Sequence, residues 1–167
     1  ILNNPFTTED ELNEIIPGPD FPTGGLIIGR NGIRSAQQTG RGSVILRGRA
    51  EIEEKNNRSS IIISEIPYQV NKSSLIEKIA EVVRDKRVEG ISDIRDISDR
   101  HGIRVVIELK KDAEADVILN QLYKFTPLQS SVGCNMVCLN SGKPELLSIR
   151  QIIDAFLEFR VDIVVKR

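Results

Sequence analysis

The sequence predicts an α+β protein with a largely antiparallel sheet flanked by helices, ending in a long helix. Segments of alternating apolar and polar residues are joined by short turns, which is typical of β-hairpins. Between them lie segments with apolar residues every three or four positions, which is typical of amphipathic helices. The chain has 167 residues, of which 40% are hydrophobic and 28% charged, so it can bury a core. No apolar run is long enough to span a bilayer, and we expect no membrane partner.

The first elements are short. Residues 8–16 follow the capping candidates Thr7 and Thr8 and predict an acidic helix. The proline-rich residues 17–22 interrupt regular structure and predict a linker. Residues 26–28 predict a brief strand.

A second helix is expected at residues 31–38, ended by Gly40. From Ser43 to Ile52 the pattern changes to period two, which predicts one strand. On that strand Arg47 and Arg49 would project side by side from one sheet surface.

The central region predicts two hairpins and two helices. The turn at residues 55–58 contains two asparagines, which tolerate positive φ, and should lead into a strand at 60–66. Asn71 should cap a helix that extends to about Val83. Further elements are expected in this order: a strand at 91–97, a turn at 99–102, a strand at 103–109, a helix at 113–124 and a strand at 129–139. Ile91, Ile94 and Ile97 recur every three residues, which fits a strand poorly.

Cys134, Met136 and Cys138 share one side of the last of these strands and predict a buried stripe. Residues four apart on a straight strand cannot easily form a disulfide, and a metal site would need more ligands. Free cysteines predict the reducing cytoplasm.

After a turn and a brief strand at 140–147, Ser148 and Gln151 form a capping-box pattern. It opens an amphipathic helix whose apolar stripe still runs at Arg167. We therefore expect an exposed apolar stripe and a longer polypeptide.

Charge is unevenly distributed along the chain. The thirty residues from Phe21 to Ala50 contain no acid and five arginines. The whole chain has 23 Lys+Arg and 24 Asp+Glu, which leaves 18 and 24 in the other 137 residues. An arginine cluster without carboxylates is typical of phosphate-binding sites, and the planar guanidinium can hold two phosphate oxygens. The alternative is a solvated face neutralised by acids from elsewhere in the fold. The five residues are Arg30, Arg34, Arg41, Arg47 and Arg49.

Little in the sequence indicates catalysis. His101 is the single histidine, and no serine or cysteine is placed to use it as a base. Asp93, Asp96 and Asp99 lack the spacing of a calcium loop, so we expect solvated acids. The glycines match neither a phosphate loop nor a dinucleotide-binding motif. We predict no catalytic, metal-binding or cofactor-binding residues, and binding is the function that remains.

The ligand predicted by these features is duplex nucleic acid held by its phosphates. Stacking on single strands requires exposed aromatic residues, and none of the five Phe and two Tyr alternates with Arg47 and Arg49. The glycines beside Arg41 allow backbone amides to approach a phosphate, although Gly40 could equally be only a helix cap. Contacts of this kind position a duplex without reading its sequence.

Five short motifs occur in a fixed order along the chain. They are IPGPDFPT (16–23), TGRG (39–42), RGRAE (47–51), EIPYQVNK (65–72) and KRVEGI (86–91). Together they resemble the A subunits of bacterial type IIA topoisomerases, DNA gyrase in particular. The outline is shared with topoisomerase IV, but IPYQVNK and RVEGI look more like gyrase. The likeness continues through residues 95–99 and 135–136 into the last helix and covers essentially the whole chain.

The resemblance implies a domain organisation and a mechanical role. Residues 1–22 would end a winged-helix segment, 23–147 would be the tower domain, and 148–167 the start of a coiled-coil helix. Such enzymes cut one duplex through a tyrosyl link, pass a second duplex and reseal the first. Tyr68 and Tyr123 match no cutting-tyrosine motif, so this stretch should be catalytically silent and should help to bend the cut duplex.

The resemblance also implies contacts and partners. The residues expected to touch the DNA backbone are Arg30, Arg34, Arg41, Arg47, Arg49 and Lys72. Expected partners are double-stranded DNA, the gyrase B subunit and a second copy of the gyrase A subunit, in an A2B2 holoenzyme. ATP and Mg²⁺ would bind on the partner B subunit, and the location would be cytoplasmic and nucleoid-associated.

Two other hypotheses remain open. The chain could be a structural brace whose arginines pair with Glu51, Glu53, Glu54 or other acids. It could also be an RNA-binding sheet module, against which the lack of stacking aromatics argues.

Overall fold

The structure, a computed structural model, describes residues 1–55 and 57–167. Its mixed helices and antiparallel sheets confirm the predicted α+β class, and a long helix ends the chain. The helices are α1 (Glu9–Ile15), α2 (Asn31–Thr39), α3 (Lys72–Arg84), α4 (Ala115–Phe125) and α5 (Ile149–Lys166). The strands are β1 (Leu26–Ile28), β2 (Arg41–Arg47), β3 (Arg49–Lys55), β4 (Arg58–Glu65), β5 (Ile91–Asp96), β6 (Val105–Leu109), β7 (Gln129–Asn135), β8 (Val137–Asn140) and β9 (Lys143–Leu146).

The described strands form three sheets. β2 lies between β1 and β7, the order β3-β4-β6-β5 makes a four-stranded sheet, and β8 pairs with β9. Every pairing in the four-stranded sheet is antiparallel. In the part of the chain that is described, no helix is both long and apolar enough to cross a membrane.

The chain divides into two compact units. Unit 1 comprises Ile1–Asp20, Gly29–Val44 and Ser131–Arg167. Unit 2 comprises Phe21–Ile28 and Ile45–Ser130. The domain limits expected at 22/23 and 147/148 remain a prediction.

Unit 2 has its core between the four-stranded sheet and two helices. Ile61, Ile63 and Ile107 of the sheet are fully buried, and Leu75 of α3 and Leu122 of α4 pack in the same cluster. The alternation predicted for β6 is confirmed, because its three odd-numbered residues are buried and the two between them are half-buried.

Unit 1 is built from helices α1, α2 and α5 with the β8–β9 hairpin. α2 packs against both α1 and α5. Apolar side chains of α5 such as Phe156 and Phe159 are each 59% exposed, which confirms the predicted exposed stripe.

The predicted caps are confirmed. Thr8 accepts a hydrogen bond from the Glu11 N–H and Ser148 accepts one from the Gln151 N–H, each within a capping box. Asn71 accepts from two N–H groups in the first turn of α3. Gly40 ends α2 with φ 76°.

The single strand predicted from Ser43 to Ile52 is wrong. The chain breaks at Gly48, whose N–H donates to the Leu128 carbonyl oxygen at 2.8 Å instead of continuing a ladder. The residues before the break belong to β2 and those after it to β3, in a different sheet. The Lys55–Arg58 pair closes the β3–β4 hairpin and Asn57 has φ 62°, but the predicted turn also includes Asn56, which lies outside the described residues.

The predicted strand 129–139 is also two strands, because the Met136 N–H donates to the Gly40 carbonyl oxygen at 2.8 Å. The stripe that was predicted to be buried is half-buried at Cys134, Met136 and Cys138. Both cysteines are free, and burial raises the pKa of the Cys134 thiol.

Candidate functional site

The six predicted contact residues are divided between the two units. Arg30, Arg34 and Arg41 belong to unit 1, and Arg47, Arg49 and Lys72 belong to unit 2. No single unit therefore carries the whole predicted set.

In unit 1, Arg30 and Arg34 lie one helical turn apart at the start of α2, and both are exposed. They line a cleft of about 560 Å³ together with Asp10 and Glu14 of α1. The segment that is free of acids in sequence is therefore not free of acids in space. Among the described residues, neither arginine has a carboxylate oxygen within 4.0 Å.

Arg41 is the first residue of β2, directly after the left-handed Gly40. Its carbonyl oxygen accepts hydrogen bonds from the Ser35 and Thr39 hydroxyls at 3.0 and 2.9 Å. Its side chain is exposed, and it too is absent from the ion pairs of the described chain. Gly40 is the helix cap that the alternative interpretation expected.

In unit 2, Arg47 is held by neutral groups. Its Nε and Nη2 atoms donate to Gln129 Oε1 at 2.9 and 2.7 Å. Its Cζ atom lies 4.2 Å from the centroid of the Tyr123 ring. An aromatic side chain therefore does lie beside Arg47, contrary to the sequence-based expectation.

Arg49 is the arginine of this segment that has a carboxylate oxygen within 4.0 Å in the described chain. Its Nε lies 3.4 Å from Glu65 Oε2, and the same oxygen accepts the Gly25 N–H at 2.5 Å. Arg47 and Arg49 lie in different sheets, so the prediction that they project side by side from one sheet surface is wrong.

Lys72 begins α3, and its Nζ lies 2.8 Å from Asp96 Oδ2 at the end of β5. Hydrogen bonds from Lys72 and from Ser98 lower the pKa of Asp96 to about 2. Asp93 is likewise paired, with Arg95 at 3.1 Å, so these two acids are exposed but not merely solvated.

The acids that contact Arg49 and Lys72 belong to the open part of the brace hypothesis, which named three glutamates or other acids. The brace hypothesis named Glu51, Glu53 and Glu54, whereas the carboxylates in contact are Glu65 and Asp96. The Arg49 contact is a single long one, not a bidentate pair.

Sequence reasoning missed Gln129, Tyr123 and Glu65 as members of this site. Gln129 lies 82 residues from Arg47. Neither local spacing nor composition identifies such a partner, because the pairing depends on which strands become neighbours.

The two tyrosines of the chain lie in different surroundings. The Tyr68 ring packs against Phe21 with centroids 5.5 Å apart. Burial raises the pKa of the Tyr123 hydroxyl.

Comparison with known proteins relates the whole chain to one protein family. A family model described as the A subunit of DNA gyrase/topoisomerase IV matches residues 1–167. The DNA gyrase A subunit of Granulibacter bethesdensis is 57% identical over 168 residues, which covers 100% of this chain and 18% of the relative. That of Synechocystis sp. is 54% identical, over 100% of this chain and 20% of the relative. A probable chloroplastic/mitochondrial DNA gyrase A subunit of Oryza sativa is 54% identical, over 100% of this chain and 18% of the relative. The chain thus spans about a fifth of the length of these relatives.

Proposed function

The chain belongs to the family of DNA gyrase/topoisomerase IV A subunits, and we propose from this that it binds the phosphate backbone of double-stranded DNA and helps to bend the duplex that is cut. The residues proposed to touch phosphates are Arg30, Arg34, Arg41, Arg47, Arg49 and Lys72. The proposal depends mainly on the first four of these residues.

The supporting observation is that these four arginines have no carboxylate within 4.0 Å among the described residues. A guanidinium without a protein counter-ion can replace the counterions that surround DNA, which is the main source of protein–DNA affinity. Arg49 and Lys72 contribute less, because Glu65 and Asp96 already offset part of their charge.

Bending gives these contacts a mechanical use. Bending a site of 20–30 base pairs by 40–90° costs on the order of 1–6 kcal/mol, which additional phosphate contacts offset. The contacts are to phosphates and not to base edges, so the binding is independent of sequence.

The activity of the whole protein is part of the same proposal. We propose ATP-dependent change of DNA topology in the cytoplasm by an A2B2 assembly with the gyrase B subunit, with the cutting tyrosine outside these residues. ATP and Mg²⁺ are assigned to that B subunit. In the described chain, no group of three or more His, Cys, Asp or Glu is arranged to hold a metal ion.

The test is the salt dependence of duplex binding by the full-length protein. A variant with Arg30, Arg34, Arg41 and Arg47 changed to Gln should lower the magnitude of the slope of log K against log salt by about 3.6, since each phosphate contact contributes roughly 0.9. A duplex of 30 base pairs labelled at both ends should also bend less, which energy transfer measures.

The matched control changes four exposed arginines outside the segment, Arg58, Arg84, Arg87 and Arg100, to Gln. It should leave the slope nearly unchanged. Equal losses in the two variants would contradict the proposal.

A bracing role is the second candidate, for two residues only. The Arg49–Glu65 and Lys72–Asp96 pairs join separate elements of unit 2. If Lys72→Ala lowers the melting temperature without changing the salt slope, Lys72 belongs to this brace and not to the DNA contact.

A further inference from the structure

We propose that Tyr123 and Gln129 are positioning residues that hold the Arg47 guanidinium in place for a DNA phosphate while leaving its charge intact. This inference rests on the proposed function and identifies the side chains that orient one of its phosphate-binding residues, Arg47. It is carried by the geometry around Arg47.

The hydrogen bonds of Arg47 use only one edge of the guanidinium. Nε and Nη2 both donate to Gln129 Oε1, at 2.9 and 2.7 Å. A guanidinium has five N–H groups in a rigid fork, so three remain, two on Nη1 and one on Nη2. The edge between Nη1 and Nη2 is the one that binds two oxygens of a phosphate at once.

The Tyr123 ring lies against the Arg47 guanidinium. The Arg47 Cζ atom lies 4.2 Å from the ring centroid, within the range of a cation–π contact. The Tyr123 hydroxyl is neutral near pH 7, because the ordinary pKa of tyrosine is about 10 and burial raises it. Both partners of Arg47 are therefore uncharged.

The backbone beside these side chains is pinned. The Gly48 N–H donates to the Leu128 carbonyl oxygen at 2.8 Å, and these residues immediately follow Arg47 and precede Gln129. A Cβ atom at position 48 would lie 2.7 Å from a Leu128 methyl carbon, so a glycine allows this close approach. The end of β2 and the start of β7 are thus held together where the side chains meet.

Arg49 shows the contrast within the same unit. Its Nε faces the Glu65 carboxylate, which orients the side chain at the expense of its net charge. Gln129 orients Arg47 in a similar way with an amide oxygen. Because the Gln129 amide is neutral, it orients Arg47 without offsetting the positive charge that a phosphate would meet.

The first experiment measures binding of a 30-base-pair duplex by the full-length protein. Gln129→Ala and Tyr123→Leu should each weaken binding roughly two- to tenfold, the effect of leaving one long side chain to be ordered on binding. Tyr123→Phe keeps the ring and should bind like the wild type. Gln129→Glu preserves the shape but supplies a carboxylate, and it should weaken binding more than Gln129→Ala and flatten the salt slope by about 0.9.

A double-mutant cycle separates positioning from general stability. In an Arg47→Gln background, Gln129→Ala and Tyr123→Leu should have no further effect on affinity. If they weaken binding equally in both backgrounds, or if Gln129→Glu binds as tightly as the wild type, the inference is wrong. The near-isosteric variants Gln129→Glu and Tyr123→Phe keep the test valid if a larger change prevents folding.

The outcome also distinguishes this inference from the proposed function. If Arg47→Gln binds normally while changes at Arg30, Arg34 and Arg41 weaken binding, only the inference fails. If no arginine of the segment affects binding, the proposed function fails with it.

Discussion

Glu65 offsets the positive charge of one arginine in the arginine-rich segment, Arg49. It accepts the Gly25 N–H and lies 3.4 Å from Arg49 Nε. The two side chains are 34% and 49% exposed, so the pair contributes at most about 1 kcal/mol to stability. Its larger consequence is for ligand binding, because a phosphate must compete with this carboxylate for Arg49.

We predict that Glu65→Gln strengthens duplex binding and steepens the salt slope by up to about 0.9, since Arg49 becomes free for one more phosphate. The amide can still accept the Gly25 N–H, so the fold should be retained. Glu54→Gln removes the same charge from an exposed position in β3 that has no ion pair among the described residues. Equal effects of the two substitutions on the slope would show that only net charge matters.

At position 32, close packing leaves no room for a side chain, so the position requires glycine. A Cβ atom there would overlap the Ser43 carbonyl oxygen, and one at Gly42 would overlap the Gly32 carbonyl oxygen. These glycines allow α2 and β2 to approach closely within unit 1. The packing of the arginine-bearing elements, and not only contact with a ligand, requires them.

Gly32→Ala should therefore destabilise the protein by about 1–3 kcal/mol, the usual cost of overpacking. This sign is opposite to that of an ordinary helical Gly→Ala change, which stabilises by roughly 0.5–1 kcal/mol. Gly133→Ala is the control, because no atom lies within 4 Å of the added Cβ. Urea unfolding of both variants measures the difference, and a stabilised Gly32→Ala variant would contradict this packing argument.

At the scale of elements, the residues that define the helices and most strands could be predicted, because their signals are local. Caps at Thr8, Asn71 and Ser148 and the alternation in β6 need only neighbouring residues. The break at Gly48 could not be predicted, since the Gly48 N–H donates to the carbonyl oxygen of Leu128, which is distant in sequence. Predicting it requires knowing which strands become neighbours.

The isoleucines of β5 show the same limit. The register shifts between Ile91 and Asp93, so Ile91 and Ile94 oppose Leu109 and Ile107. Those two partners are both buried, so the two isoleucines face the same side although they are three residues apart. The three-residue spacing of Ile91 and Ile94, which fits a regular strand poorly, is explained by this β-bulge. In the candidate site, likewise, the cations were visible in the sequence, whereas their partners at Gln129, Tyr123, Glu65 and Asp96 were not.

The contact between α3 and β5 predicts a pH dependence. Lys72 and Ser98 lower the pKa of Asp96 from 3.8 to about 2. A carboxyl group whose pKa is lower in the folded state stabilises the fold above its unfolded pKa and loses that contribution as pH falls through the folded pKa. The contribution of Asp96 should therefore be lost between about pH 4 and pH 2.

Asp96→Asn should remove this component, so the stability difference between the wild type and the variant should shrink over that interval. Thermal unfolding of both proteins between pH 7 and pH 2 measures it. Asp99→Asn is the control, because Asp99 is exposed and absent from the ion pairs of the described chain. A constant difference between the wild type and Asp96→Asn across the interval would show that the ion pair does not stabilise the fold.

At the scale of the whole molecule, a formal net charge of −1 is compatible with binding a polyanion. Ions screen charges beyond about 8 Å at physiological salt, so a phosphate responds to the arginines beside it and not to the distant acids. Four arginines of the segment have no ion pair among the described residues. Three of them lie in unit 1, and the fourth, Arg47, lies in unit 2.

We predict that the effects of the two units on the salt slope add. Changing the three arginines of unit 1 to Gln should reduce the slope by about 2.7, Arg47→Gln by about 0.9, and the combined variant by about 3.6, since each contact contributes roughly 0.9. Fluorescence anisotropy with a 30-base-pair duplex, between 50 and 200 mM salt, measures the slope and the stoichiometry in the full-length protein. Additive slopes with unchanged stoichiometry would show that Arg47 and the arginines of unit 1 each neutralise phosphates. A combined variant no different from the triple variant would mean that Arg47 faces no phosphate, and the proposed surface would then be confined to unit 1.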